Sequence, residues 1–176
     1  AYRRQHGADF ISLMPCNLFG PNDNFDPENS HLMAALIRKI DAAVRENRDS
    51  VELWGSGTPR REFLHVDDLA DACVFAAERY SGEEPLNVGS GEDRSILELA
   101  QTVAGIVGFR GGFVLDRSRP DGTPRKLLDV SRIAELGWRP RLDLEEGLRR
   151  TYAWYCTEGP AAPPRTTAVK AASNDL

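Results

Sequence analysis

The chain has 176 residues, 41% of them hydrophobic and 28% charged, and a net charge of −5. That length fits one domain, or one domain plus a tail, with a core able to bury about 70% of the unfolded surface. The composition excludes a disordered, collagen-like or disulfide-framework protein, and the acidic balance without a basic stripe excludes a general nucleic-acid binder. No apolar run approaches the roughly 20 residues of a membrane span, and no signal peptide is expected. Three scattered cysteines, Cys16, Cys73 and Cys156, are expected to be reduced thiols of a cytoplasmic protein.

Residues 1–6 predict the end of a helix stopped by Gly7, and residues 9–14 a short strand. A loop rich in Asn, Asp, Pro and Gly follows from Pro15 to Ser30, a length that is usually functional. Apolar residues at helical spacing predict a helix over 31–47, capped by Ser30 or Asn29. Residues 51–54 read as a strand, 55–59 as a Gly-rich turn and 62–64 as another strand. A helix is expected from Asp67 or Asp68 to Arg79 with Leu69, Cys73 and Ala76 on one face. Residues 85–88 read as a strand, and Ser95 with Glu98 forms a capping box for a helix bearing Leu99, Ala100 and Val103. A strand at 113–115, a polar loop at 117–125, an extended stretch at 127–129 and a short helix capped by Ser131 and ended by Gly137 come next. Asp143-Leu144-Glu145-Glu146 caps a last helix that runs to about Cys156, and residues 158–176 read as a disordered tail. The alternation predicts a mixed α/β fold, part of a larger sheet.

The motifs divide into those that fail and those that gather. Gly89-Ser90-Gly91 lies between a strand and a helix, but Arg94 stands where a dinucleotide fingerprint needs its third glycine, so a plain turn is expected. No Walker loop or Cys-x-x-Cys is present. Asn17 follows the first strand, and His31 opens a helix. A helix N-terminus favours neutral imidazole, so His31 is either a surface residue or an acid/base group. Trp54 with Arg60 and Arg61 joins a flat aromatic to two guanidiniums around a Gly turn. Either that is a core tryptophan beside surface arginines, or it stacks and clamps a nucleotide diphosphate. The loop from Asp121 to Lys126 offers a carboxylate and two cations, and alone reads as a solvated loop.

Four runs together carry more. They are Asn17 to Phe25, Asn29-Ser30-His31, Trp54 to Asp68, and Pro120 to Asp129. In these the chain closely resembles the GDP-L-fucose synthases, the NADPH-dependent epimerase–reductases of GDP-4-keto-6-deoxy-D-mannose among the extended short-chain dehydrogenase/reductases. The resemblance covers residues 1 to about 156. It implies the C-terminal part of an extended Rossmann-type enzyme, mainly its small substrate-binding domain, over residues 1–157. By resemblance, His31 is the acid/base partner in epimerisation, and Pro15, Cys16, Asn17, Leu18 and His31 lie beside the nicotinamide of NADPH or NADP. Asn17, Lys39, Trp54, Arg61, Asp121 and Lys126 then hold the GDP-sugar. Arginine is frequent in the family where Lys39 stands, so this contact keeps the charge and loses the bidentate geometry.

The family's cofactor loop and Tyr-x-x-x-Lys pair have no counterpart here, since Tyr2, Tyr80, Tyr152 and Tyr155 all lack Lys four residues on. The resemblance therefore implies a GDP-sugar-binding half, inactive alone, whose partners are the N-terminal half and, in the full enzyme, a homodimer mate. Its strands at 9–14 and 85–88 would be exposed edges, making the isolated chain marginal or aggregation-prone. The alternatives are a non-catalytic nucleotide-sugar-binding module that pairs with a separate chain, and a fragment of another nucleotide-sugar epimerase or dehydratase. No metal site, membrane or nucleic-acid partner is expected.

Overall fold

The computed structural model describes residues 2–161. The tail read from residue 158 lies, from 162 onward, outside the described residues. Between them, Gly159 N–H donates to the Trp154 carbonyl at 2.9 Å, and Ala161 packs against the core.

The elements alternate as the pattern predicts. They are α1 (Tyr2–His6), β1 (Leu13–Pro15), β2 (Asn17–Phe19), α2 (Leu32–Arg45), β3 (Ser50–Trp54), β4 (Arg60–His65) and α3 (Val66–Arg79). Then come β5 (Leu86–Val88), β6 (Asp93–Ser95), α4 (Ile96–Val107), β7 (Gly112–Asp116), β8 (Arg125–Lys126), α5 (Ser131–Glu135) and α6 (Leu144–Thr157). The fold is mixed α/β with parallel pairing: β1 with β5, β2 with β4, β3 with β7 and β4 with β8, while β6 joins β4 antiparallel.

Two cores form, and β4 divides them. Strand alternation sends Phe63 into one and Leu64 into the other. The larger packs Met33, Leu36, Ile37 and Ile40 of α2 against Val51 and Leu53 of β3, Leu99 and Val103 of α4, and Leu148 and Tyr155 of α6. The smaller joins Ala72 and Ala76 of α3 to Leu86 and Val88 of β5, with Ile133 and Trp138 closing it. Asp68 is buried because it serves as an anchor, accepting from the N–H groups of Arg141 and Leu142 at 3.0 and 3.1 Å.

Several expectations shift. The first strand occupies 13–15, because the chain before it turns on itself through Phe10 N–H to the Ala8 carbonyl. The long loop contains β2, which is too short to show a period. The N-cap of α2 is His31, not Ser30 or Asn29, and its side chain makes no cap bond. Helix α3 begins at Val66, capped by His65, and Cys73 is exposed while Ala72 and Ala76 are buried. Ser131 is the first residue of α5, and Val130 is its cap. The capping box of Ser95 and Glu98 and the Asp143 cap of α6 form as predicted. Among the described residues, no helix is long and apolar enough to cross a membrane.

Candidate functional site

The Asn/Asp-rich loop is folded tightly. Asn24 Oδ1 accepts from the Asp26 N–H at 3.0 Å, and Asp26 Oδ1 accepts from the Glu28 and Asn29 N–H groups at 2.9 Å each. These are Asx turns, the local bonding that Asn and Asp favour. Phe25 plugs the loop into the larger core, with its ring 4.8 Å from Tyr155 and 6.1 Å from Trp154. Arg38 of α2 donates to the Pro27 carbonyl at 3.3 Å. The loop thereby delivers His31, exposed and free of any capping bond, to the edge of a cleft.

That cleft, about 580 Å³, is lined by Cys16, Asn17, Leu18, His31, Arg61 and Phe63, among others. Five residues singled out in the sequence thus meet in one place, brought there by the parallel register of β2 on β4, Asn17 beside Phe63. Asn17 Nδ2 donates to the Glu62 carbonyl at 2.8 Å. The Cys16 thiol is pushed up to about 12, first by burial and then by the Glu62 charge, so it stays neutral near pH 7 and is no nucleophile. Pro15 ends β1 next to this wall.

A second cluster forms around Trp54. Its indole is 59% exposed because alternation in β3 buries Val51 and Leu53 and turns Trp54 outward. Lys39 Nζ stands 5.3 Å from the ring centroid and Arg119 Cζ 5.0 Å, both within cation–π range. Asp121 is committed to the turn beside it. Its carboxylate accepts from the Ser56 N–H at 2.8 Å and from the Ser56 hydroxyl at 2.7 Å, which hold it below the usual carboxylate range. Gly55 and Gly57 both take left-handed backbone, and a Cβ at Gly55 would stand 2.3 Å from Asp121 Oδ1.

Arg61 connects the two clusters, because it donates to the Thr123 carbonyl in the loop that carries Asp121. Arg61 of β4 lies opposite Arg94 of β6 and beside Lys126 of β8, so three cations form a row on one face of the sheet. The row on the other face is neutralised: Arg60 Nε meets Asp93 at 2.8 Å, and Arg125 also pairs with Asp93. Those two guanidiniums, Arg125 foremost, hold the Asp93 carboxyl below its usual range. Among the described residues, Arg61, Arg94 and Lys126 have no carboxylate partner. Arg61 donates only to carbonyls, those of Arg60 and Thr123, at 2.7 and 2.6 Å.

Known proteins resemble this chain in sequence and fold. Residues 1–89 match the NAD dependent epimerase/dehydratase family. The chain belongs to that family. It is 59% identical over 155 residues to a putative GDP-L-fucose synthase 2 of Arabidopsis thaliana, covering 88% of this chain and 47% of the relative. It is 51% identical over 164 residues to the GDP-L-fucose synthase of Escherichia coli K12, covering 88% of this chain and 51% of the relative. Among solved structures, a GDP-L-fucose synthetase from Naegleria fowleri bound to NADP superposes with a TM-score of 0.78 at 32% identity. That match covers 83% of this chain and 46% of the other. The chain spans about half the length of the curated relatives it matches.

Four residues that line or support the candidate site are not singled out by the sequence: Phe25, Glu62, Arg94 and Arg119. Arg119 lies in the stretch 117–125, which reads only as a polar loop, and Arg94 stands out only as the residue that breaks a glycine fingerprint. Phe25 and Glu62 carry no local pattern that separates a plug or a buried anchor from an ordinary loop or strand residue.

Proposed function

We propose that this chain is the GDP-sugar-binding portion of a GDP-L-fucose synthase, an NADPH-dependent epimerase and reductase of GDP-4-keto-6-deoxy-D-mannose. The observation that carries the reading is the uncompensated row Arg94, Arg61 and Lys126, joined through the Thr123 carbonyl to the loop whose Asp121 holds the turn after the exposed Trp54. A diphosphate needs cations that no protein carboxylate already satisfies, and a guanine ring needs an open aromatic face. Lys39 and Arg119 stand over that ring, so a stacking base has to displace one of them, and both supply charge towards the same ligand. Asp121 acts here by fixing the Gly55–Gly57 turn beneath Trp54 rather than by meeting the sugar.

The keto sugar then extends from Arg61 into the cleft, where His31 and Asn17 line the wall. A proton next to a ketone is acidic enough for an imidazole base, and His31 is exposed, uncapped and able to take it at its ring nitrogen. Return of a proton from the opposite side inverts that carbon. Asn17 is held by its bond to the Glu62 carbonyl and keeps its carbonyl oxygen free to orient a hydroxyl or amide edge.

The cofactor fits one part of this chain and not another. Pro15, Cys16 and Leu18 make a neutral, largely apolar wall, suited to an uncharged nicotinamide ring. The Gly89-Ser90-Gly91 turn is already taken, because the Glu62 carboxylate accepts from the Gly91 N–H at 2.7 Å and would repel a pyrophosphate. NADPH supplies the hydride for the reduction when bound, and the residues that would grip its phosphates lie elsewhere in the longer relatives. Residues 1–157 accordingly form the substrate half, which binds without turning over. The full-length enzyme is read as a cytoplasmic homodimer.

Calorimetric titration of the purified chain with GDP-L-fucose, with UDP-glucose and NADPH as controls, tests the reading. Heat of binding with GDP-L-fucose alone is expected. No binding to any nucleotide sugar would refute it, and equal affinity for UDP-glucose would move the chain to another epimerase or dehydratase of the family.

A further inference from the structure

Glu62 is a glutamate only 1% exposed, on a strand whose neighbouring residue faces the cleft. Alternation turns its side chain to the opposite face. There Oε1 accepts from the Gly91 N–H at 2.7 Å, and Oε2 accepts from the Leu128 N–H at 2.9 Å. The residue's own carbonyl accepts from Asn17 Nδ2 at 2.8 Å. A Cβ at Gly89 would stand 2.2 Å from Oε1, so glycine is required there to let the carboxylate approach. The Gly89-Ser90-Gly91 turn, which resembles a phosphate loop on paper, is a cradle for a side-chain carboxylate.

One residue therefore ties together the segments that carry candidate ligand groups. Asn17 hangs from its carbonyl, and Arg61 is its neighbour. Lys126 lies two residues before Leu128, and Arg94 lies three after Gly91. Each end of the carboxylate holds a different segment, so a change in its length or bonding moves those segments independently.

We propose that Glu62 is a positioning residue of the nucleotide-sugar site, whose buried carboxylate, held by the Gly91 and Leu128 amides, sets the register of Asn17, Arg61, Arg94 and Lys126. It rests on the nucleotide-sugar reading above. Both oxygens meet donors, and only a carboxylate offers an acceptor to each. In Glu62→Gln the amide NH2 must face one of the two N–H groups, donor against donor. Gly89→Ala displaces the same carboxylate without touching any candidate ligand group.

The test compares E62Q and G89A with a control, Val103→Ala, which opens a cavity in α4 away from the site. GDP-L-fucose affinity is measured by calorimetry where melting curves show every variant folded. Both site variants are expected to weaken binding about tenfold, the scale of one lost hydrogen bond to a charged group, while V103A stays within about twofold. Amide hydrogen exchange supplies a readout that needs no ligand: 89–92 and 121–128 should exchange faster in E62Q and G89A but not in V103A. Unchanged affinity with unchanged exchange overturns the proposal. So does equal weakening in V103A, or loss of a cooperative melt in both site variants, which would make Glu62 a folding residue only. If the wild-type chain binds no nucleotide sugar, the nucleotide-sugar reading falls. The exchange arm then still decides whether Glu62 fixes these segments.

Discussion

The α2–α4–α6 unit and the β1–β5 pair are built on opposite economies of surface. The first closes on itself: Ile37, Ile40, Leu99, Val103 and Leu148 are each all but inaccessible, and the loop that brings His31 is pinned by Phe25. The second is a parallel pair of only two strands among the described residues. Phe10 and Tyr2 are each 64% exposed beside it, and Met14 is 53% exposed. Parallel strands are ordinarily covered on both faces, so this pair has the surface of an unfinished sheet. Of the groups read as meeting a nucleotide sugar, His31 caps and Lys39 stands on α2 of the closed unit, whereas Arg61, Arg94 and Lys126 stand on β4, β6 and β8. The exposed Tyr2, Phe10 and Met14 make the open face the one expected to govern aggregation.

The sharpest way to break that contrast is to cut one apolar side chain from each region. Ile37→Ala should cost about 3 kcal/mol in urea unfolding, since its cavity cannot collapse in a packed core. Phe10→Ser should stay within about 0.5 kcal/mol, as an exposed side chain has little burial to lose, and should reduce aggregation in light scattering. Equal losses would mean the β1–β5 region is closed in solution.

The second effect in size concerns affinity. Arg61→Ala should weaken GDP-L-fucose binding by about 2 kcal/mol, while Arg61→Lys recovers part of it by keeping charge without the fork. Calorimetry at constant salt decides this, and an R61A chain that binds like wild type would separate the cationic row from ligand binding.

Much of the closed unit is legible in the sequence. The periods of α2 and α4, the Ser95–Glu98 capping box and the Asp143 cap are local patterns, and local bonding realises them. The strands of the site are not. β2, β6 and β8 span two or three residues, mostly polar, and become strands only because β4 supplies the partner. Site residues such as Trp54, Arg61 and His31 stand out by type and by the family motifs around them. Glu62 does not, because a glutamate in a polar run is expected in water, and its two amide donors come from segments far along the chain. Phe25 is hidden for the same reason: Trp154 and Tyr155, which receive it, belong to the last helix.

A third prediction follows from His65, buried between Phe19 and α6. Its Nδ1 accepts from the Asp67 N–H at 3.2 Å, and burial pushes its pKa down. The unfolded chain takes a proton near pH 6.5 while the folded chain resists it. Stability is therefore fully present above about pH 6.5 and falls as pH is lowered towards the depressed folded value, by at most about 1.4 kcal/mol per unit for one proton. His65→Asn keeps a cap acceptor and should flatten this part of the profile. Urea midpoints between pH 5 and 7 show whether it does.

The smallest effect expected is at Lys126, and it tests the edge of the comparison. Lys126 completes the cationic row but sits exposed on a two-residue strand, so solvent screens its charge. Lys126→Ala should leave the melt unchanged and weaken binding by only about 0.5 kcal/mol, with the difference shrinking as salt is raised. Arg61 donates to two carbonyls that order its guanidinium before any ligand arrives, and no such bond restrains Lys126 among the described residues. If K126A instead cost as much as R61A, pre-ordering would not be what ranks the row. The ligand's phosphates would then have to sit over β8 rather than over β4.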